Sequence, residues 1–129
     1  MKNAGAKRAL VLPVSVPSHC SLMTDAAQEF AKYVDMVNFK IGNVDVLHNV
    51  DTSVAEDVNE IKSKLVEQLH KPVLWTASVQ KIQQLGIEKI IELGPGKVLA
   101  GLTRRIDRSL SSSAVIDTAT LHSTIEEIA

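Results

Sequence analysis

The chain has 129 residues, the length of about one domain; 45% of them are apolar and only 3% aromatic, so a core must be built from Val, Leu, Ile and Ala. The net charge of −1 gives no general attraction to nucleic acid or an acidic membrane, and no apolar run reaches the roughly 18 residues of a membrane span. The single cysteine excludes an internal disulfide and no signal-peptide pattern follows Met1, so we predict a cytoplasmic protein with no nucleic-acid or membrane partner.

The first half of the chain predicts a strand, a helix, an extended segment and a second helix. Residues 9–16 form an apolar run that predicts a strand, and the proline within it favours an edge position or a bulge. Apolar residues at helical spacing predict a helix over residues 22–37, and residues 44–50 have an extended pattern. Residues 53–56 have the hydroxyl and carboxylate spacing of a capping box, which predicts a helix ending before Pro72.

The second half predicts helices and strands in alternation. Thr76 is the predicted N-cap of a helix that stops at Gly86, and the serines at 111–113 are interpreted as a loop. The remaining predicted elements are a strand over 87–93, a helix over 98–110, a short strand at 115–116 and a terminal helix over 121–128.

Strands that alternate with helices predict an α/β protein with three layers and a parallel sheet. A parallel sheet needs both faces covered and its inner strands paired on each side. The few short strands of this chain therefore indicate a partial sheet.

His19 is the sharpest candidate for chemistry, because it follows the first predicted strand, and catalytic groups gather at strand ends in open α/β sheets. The alternative is a hydrogen-bonded loop histidine with a structural role. Cys20 could be a nucleophile, but neighbours on an extended backbone point to opposite sides, so we interpret it as a buried, inert thiol.

A nucleophile for His19 is missing from the sequence. No serine has a glycine two positions before it, so the G-x-S-x-G elbow of acyl-transferring enzymes is absent. Either His19 is structural, or its nucleophile lies on a segment that this chain does not contain.

Other polar groups carry weaker signals. The G-P-G-K sequence at 94–97 lacks phosphate-loop spacing and is interpreted as a tight turn before a helix. No metal site is predicted, because His48, His70 and His122 share no ligand spacing with His19 or Cys20. A basic group around the helix at 98–110 is either a solvated face or a dock for an acidic partner; it comprises Lys97, Arg104, Arg105 and Arg108.

Several short stretches together carry a family resemblance. They are Ala4–Leu10, Leu12–Cys20, Asn49–Asp51, Gln68–Trp75, Leu93–Leu99 and Gly101–Thr103. In this order, and over nearly all 129 residues, the chain resembles the C-terminal part of a bacterial malonyl-CoA:acyl carrier protein transacylase.

The resemblance implies malonyl transfer from coenzyme A to acyl carrier protein in fatty acid synthesis, through a malonyl-serine intermediate. It implies no resident cofactor, because the coenzyme A thioester is the substrate. The implied fold is an α/β-hydrolase-like domain with an inserted ferredoxin-like subdomain. Residues 1–16 would end that subdomain, and residues 17–129 would form the C-terminal part of the larger domain.

The resemblance also implies roles for individual residues. His19 matches the catalytic histidine, Gln68 the position whose backbone carbonyl orients it, and Ser18 would face the acyl pocket. The family's nucleophilic serine, oxyanion-hole glutamine and malonyl-binding arginine have no counterpart here. We therefore predict that the isolated chain is inactive and that a missing N-terminal segment supplies these groups. The alternatives are a non-catalytic module that binds acyl carrier protein through its arginines and a vestigial product with exposed apolar edges.

Overall fold

The computed structural model describes residues 2–11 and 14–129, which form a mixed α/β structure with a small parallel sheet. Short 3-10 turns at Lys2–Ala4 and Ser21–Met23 precede the regular elements. These are α1 (Thr24–Met36), β1 (Leu47–His48), β2 (Ser53–Val54), α2 (Val58–His70), α3 (Trp75–Gln84), β3 (Lys89–Leu93), α4 (Val98–Ile106), β4 (Ser111–Val115) and α5 (Thr118–Ile128).

The parallel sheet consists of β3 and β4, with Lys89 opposite Ser111 and Leu93 opposite Val115. Helix α4 crosses between the two strands and packs on both, while α5 packs on β4. Parallel neighbours require such a crossover, and here it is helical, as the alternating pattern predicts.

The other half of the structure is organised around two packed helices. Helix α1 packs against α2, and the 3-10 turn before α1 also contacts α2. A short antiparallel ribbon of β1 and β2 lies between them in sequence, with Leu47 opposite Val54 and His48 opposite Ser53. Helix α2 therefore contacts the segment that follows His19 as well as α1.

Local sequence explains where α2 begins and ends and where α3 stops. The Asp57 side chain accepts a hydrogen bond from Glu60 N at 2.9 Å and caps α2. The same helix ends at His70, because Lys71 precedes a proline and is extended, with φ −105° and ψ 152°; this end is as predicted. Gly86 has a φ of 79°, the left-handed conformation that suits the predicted stop of α3.

The predicted strand over residues 9–16 is wrong for the described residues 9–11 and 14–16, none of which is in a strand. Its remaining residues, Leu12 and Pro13, lie outside the described part of the chain. A strand exists only when a neighbour satisfies its backbone hydrogen bonds, and no described strand pairs with this segment. Val11 is accordingly 98% exposed despite its apolar side chain.

Three further predictions are wrong in detail. Ser53 lies in β2 and is not an N-cap; its amide binds Asp51 Oδ1 at 3.1 Å, and α2 begins later, after Asp57. Thr76 is already inside α3, whose N-cap is Leu74. The serines at 111–113 are in β4 and not in a loop. Ser112 is buried, and its Oγ donates to Ala100 O at 2.9 Å. Pairing with β3 and this burial override the weak strand preference of serine.

The core of the described residues is small. Its buried apolar side chains are Ala27, Val34, Val50, Val79, Ala100 and Leu110. Large apolar side chains remain exposed elsewhere, among them Leu93 at 78%, at the end of β3. Among the described residues, no helix is long and apolar enough to cross a membrane.

Candidate active site

His19 lies in a tight turn before the 3-10 segment, not at a strand end as the sequence pattern predicts. Its backbone is left-handed, with a φ of 60°, an uncommon conformation for a residue other than glycine. Its ring Nδ1 lies 2.7 Å from Gln68 O, and its amide donates to Leu69 O at 3.0 Å. The structure therefore brings His19 and Gln68 together and ties both the ring and the backbone of His19 to α2.

The two carbonyls that hold His19 are at the C-terminal end of α2. The last four carbonyls of an α-helix have no amide partner within the helix, so they are free to accept from elsewhere. Since a carbonyl can only accept, Nδ1 must carry the hydrogen, which leaves the lone pair on Nε2. A histidine held in this way can act as a general base through Nε2.

The residues on either side of His19 have different surroundings. Ser18 is exposed, and its amide donates to Val16 O at 2.8 Å. Cys20 is half-buried, not fully buried as predicted, and its Sγ lies 3.2 Å from Pro17 O. Ser18 is therefore open to solvent, whereas Cys20 is only partly so.

Helix α2 is held on the β1–β2 turn by a network that the sequence reading missed. Lys64 is only 8% exposed, and its Nζ donates to Asp51 Oδ2 at 2.9 Å and also contacts Ser53 Oγ. Burial opposes ionisation of Asp51, but hydrogen bonds from Lys64 and Ser53 outweigh it and lower the pKa of the carboxyl group. The sequence does contain a signal for this turn, because an aspartate often accepts a hydrogen bond from the amide two residues later. Here Asp51 accepts from Ser53 N.

His48 lies beside this network and is 6% exposed. Burial and the charge of Lys64 lower the pKa of His48, whereas Asp51 acts in the opposite direction. Its Nε2 is buried and has no hydrogen-bond partner within the described residues. A neutral ring is therefore favoured at this position.

The same turn also contacts the chain beyond α2. Asn49 O accepts from Leu74 N at 2.8 Å, and Asn49 Oδ1 accepts from Ser78 Oγ at 3.0 Å. These bonds fix the start of α3 against the β1–β2 turn.

The turn at 94–97 joins β3 to α4. This is the tight turn before a helix that the sequence predicts, and in the first turn of α4 Ala100 N donates to Glu92 Oε2 at 2.8 Å. No group of three or more His, Cys, Asp or Glu suited to a metal ion occurs within the described part of the chain.

The basic group predicted around α4 lies at the surface. Arg104, Arg105 and Arg108 are exposed, and none of them pairs with a carboxylate among the described residues. Arg104 Nη2 donates to Ser112 O at 2.8 Å, on β4. The guanidinium groups of Arg105 and Arg108 make no hydrogen bond within the described part of the chain.

The known proteins that match this chain in sequence belong to one class, enzymes that transfer an acyl group. They are, in particular, malonyl CoA-acyl carrier protein transacylases. The protein of this name from Salmonella typhimurium is 48% identical over 126 residues, which are 98% of this chain and 41% of the relative. No protein-family model matches the chain.

Solved structures give the same result. An acyl carrier protein S-malonyltransferase from Vibrio cholerae superposes with a TM-score of 0.88 at 50% identity, over 95% of this chain and 40% of the other. A malonyl-transacylase in complex with a type II PKS acyl-carrier protein gives a TM-score of 0.92 at 46% identity, over 98% and 41%. The resemblance is thus confirmed: the chain is similar to a C-terminal portion of such transacylases and spans about 40% of the length of the relatives it matches.

Proposed function

We propose that this chain supplies the general base of a malonyl transferase that moves malonyl groups from coenzyme A to acyl carrier protein in cytoplasmic fatty acid synthesis. The observation that carries the proposal is the contact of His19 Nδ1 with Gln68 O, 2.7 Å long, which leaves Nε2 as the base. The identity of 48% with a transacylase supports the choice of substrates.

In the first half-reaction, a serine hydroxyl on the complementary segment attacks the thioester carbonyl carbon of malonyl-CoA. His19 Nε2 takes the hydroxyl proton as the new C–O bond forms. The tetrahedral intermediate then collapses with cleavage of the C–S bond, and protonated His19 gives its proton to the leaving thiolate of coenzyme A. The products are free coenzyme A and a malonyl-serine ester.

In the second half-reaction, the thiol of acyl carrier protein attacks the ester carbonyl. His19 takes the thiol proton, the C–O bond breaks, and the proton passes to the serine oxygen. Gln68 O holds the Nδ1 hydrogen throughout, so the ring keeps one orientation in both steps. This is the orienting role that an aspartate has in other triads.

The surrounding fold is proposed to be an α/β-hydrolase-like domain, of which residues 17–129 are the C-terminal part and residues 1–16 the end of a ferredoxin-like subdomain. The exposed Ser18 lies beside His19 and would face the acyl pocket. No resident cofactor is required, because the coenzyme A thioester is itself the acyl donor.

The nucleophile must come from another segment, since no serine here lies in a G-x-S-x-G elbow. The test is a chimera that joins the unmatched portion of the Salmonella typhimurium relative to this chain. We expect it to transfer malonyl from labelled malonyl-CoA to acyl carrier protein, while the isolated chain does not.

Two controls make the test specific. His19→Asn removes the base but keeps a residue type that tolerates a positive φ, so turnover should fall by roughly 10²- to 10⁴-fold while the fold persists. Intact mass spectrometry should find the malonyl ester only on the segment from the relative. A malonyl adduct on the isolated chain, or a chimera that folds and stays inactive, would overturn the proposal.

A second candidate function is supported by the exposed Arg105 and Arg108, which lack carboxylate partners within the described residues. In this case the chain is a non-catalytic module that docks an acidic acyl carrier protein. Binding of acyl carrier protein to the isolated chain should then weaken with salt and with Arg105→Ala/Arg108→Ala. Lys81→Ala, on α3, is the matched control; inactivity of the chimera together with this binding would favour the module.

A further inference from the structure

The carbonyls that hold His19 are part of α2, so the position of this helix determines the position of the imidazole. We propose that Lys64, through its pair with Asp51, is a positioning residue for His19: it locks α2 onto the β1–β2 turn and so holds Gln68 O against the ring. The inference rests on the proposed role of His19 as the base.

Lys64 is a buried residue. A lysine is rarely 92% removed from solvent, since an ammonium group must keep partners when it leaves water. Lys64 Nζ has Asp51 Oδ2 at 2.9 Å and Ser53 Oγ as partners, and Glu60 Oε2 lies further away at 4.0 Å. Its two contacts on the turn both come from residues outside α2.

Replacement of a buried ion pair by apolar side chains is often neutral or stabilising, so stability alone gives little reason for a lysine at this position. A charged pair differs from an apolar contact in being directional, because the ammonium must meet its acceptors at hydrogen-bond distance. It therefore fixes the register between α2 and the turn.

Lys64 lies one helical turn before Gln68, on the same side of α2. Beyond the helix, Leu74 N donates to Asn49 O at 2.8 Å, in the same β1–β2 turn that Lys64 contacts. The turn thus contacts the chain both before and after the carbonyls of Gln68 and Leu69.

The experiment reads the tautomer of His19 by ¹⁵N NMR of the full chain, labelled at histidine, at about pH 8, above the usual imidazole range. Wild-type His19 should be in the Nδ1–H form. Lys64→Met keeps the aliphatic stem and removes the charge, so we expect the ratio of tautomers to move towards Nε2–H by at least about twofold, the lower end of coupling within a hydrogen-bond network.

The matched control is Lys62→Met. Lys62 is on the same helix, but its Nζ binds Asp35 O at 3.1 Å and so connects α2 to α1, not to the turn. This variant should leave the His19 tautomer unchanged. Lys64→Arg, which keeps the charge, should restore part of the wild-type ratio.

The outcomes are distinct. If folded Lys64→Met retains the wild-type His19 shifts, the role of Lys64 is structural only and the inference is wrong. If Lys64→Met does not fold, Ser53→Ala decides, because it removes one partner of Lys64: an unchanged tautomer overturns the inference, and a smaller shift towards Nε2–H supports it. The readout needs no turnover, so an inactive chimera whose His19 still responds to Lys64 would contradict the proposed function and not this inference.

Discussion

His19 is oriented by the main-chain oxygen of Gln68, 2.7 Å from Nδ1, and not by a carboxylate side chain. A backbone carbonyl has no ionisation of its own, so it can accept the Nδ1 hydrogen at any pH at which α2 is folded. The orienting group is also part of the backbone at the end of α2. Any residue at position 68 that keeps the helix therefore supplies the same carbonyl.

The first prediction is that the side chain of Gln68 is dispensable. Gln68→Ala should leave the Nδ1 contact in place, because alanine keeps the carbonyl and is a good helix former. Turnover of the chimera should stay within roughly twofold of wild type, the range of a substitution worth about 0.5 kcal/mol or less. A hundredfold loss, with α2 still folded by circular dichroism, would show that the side chain itself acts.

The β1–β2 turn supplies a second prediction, about stability. Thr52 has a φ of 60°, which costs a β-branched residue about 1–2 kcal/mol, and its amide donates to His48 O at 2.8 Å. Thr52→Asn keeps that amide and tolerates the left-handed conformation. We expect the free energy of unfolding in urea to rise by about 1 kcal/mol.

Thr76→Asn is the control for this prediction. Thr76 is inside α3, where the backbone is right-handed. The ability of asparagine to adopt a positive φ therefore adds no stability at this position. A fall in stability for both variants would indicate that the Thr52 side chain makes a contribution larger than its backbone strain.

The sequence predicts the elements whose signals are local. The end of α2 before Pro72 and the left-handed stop at Gly86 follow from backbone restrictions on single residues, so they are predicted correctly. The pairing of His19 with Gln68 was implied only by the family resemblance, because the residues are 49 positions apart and neither has a pattern that points to the other.

The features that were predicted wrongly depend on distant partners. The apolar residues 9–11 satisfy a strand pattern, but no described strand pairs with them, whereas the polar residues 111–113 form a strand because β3 lies beside them. The burial of Lys64 was not predicted either, since one of its acceptors, Ser53, lies where the sequence pattern places a helix start. Local periodicity cannot supply such contacts.

His48 supplies the third prediction, on pH. Burial and Lys64 lower its pKa in the folded chain relative to the ordinary value near 6.5. As the pH falls through about 6.5, the unfolded chain binds the proton first, so stability is fully present above this pH and declines below it until the folded pKa is reached. Urea unfolding between about pH 8 and pH 5 should show this decline.

The measurement is the difference between wild type and His48→Gln, since the other histidines titrate in both proteins. The free energy of unfolding should depend less steeply on pH in the variant than in wild type. The difference in slope should be up to about 1.4 kcal/mol per pH unit, the maximum for one proton. Identical slopes in the two proteins would mean that His48 titrates alike in the folded and unfolded chains.

The last prediction concerns the open edge of the parallel sheet. Among the described strands, β3 pairs only with β4, and Leu93 at its end is 78% exposed, so an apolar side chain lies beside backbone groups that no described strand pairs. Such an edge pairs readily with another chain, and lysine on an edge is a device that prevents it. We therefore expect the isolated chain to self-associate as its concentration rises in analytical ultracentrifugation, and Leu93→Lys to reduce this association. Leu22→Lys, at a side chain 77% exposed but outside the sheet, should not. Equal reduction by both variants would indicate general apolar aggregation, and a chain that stays monomeric throughout would mean that this edge is already protected.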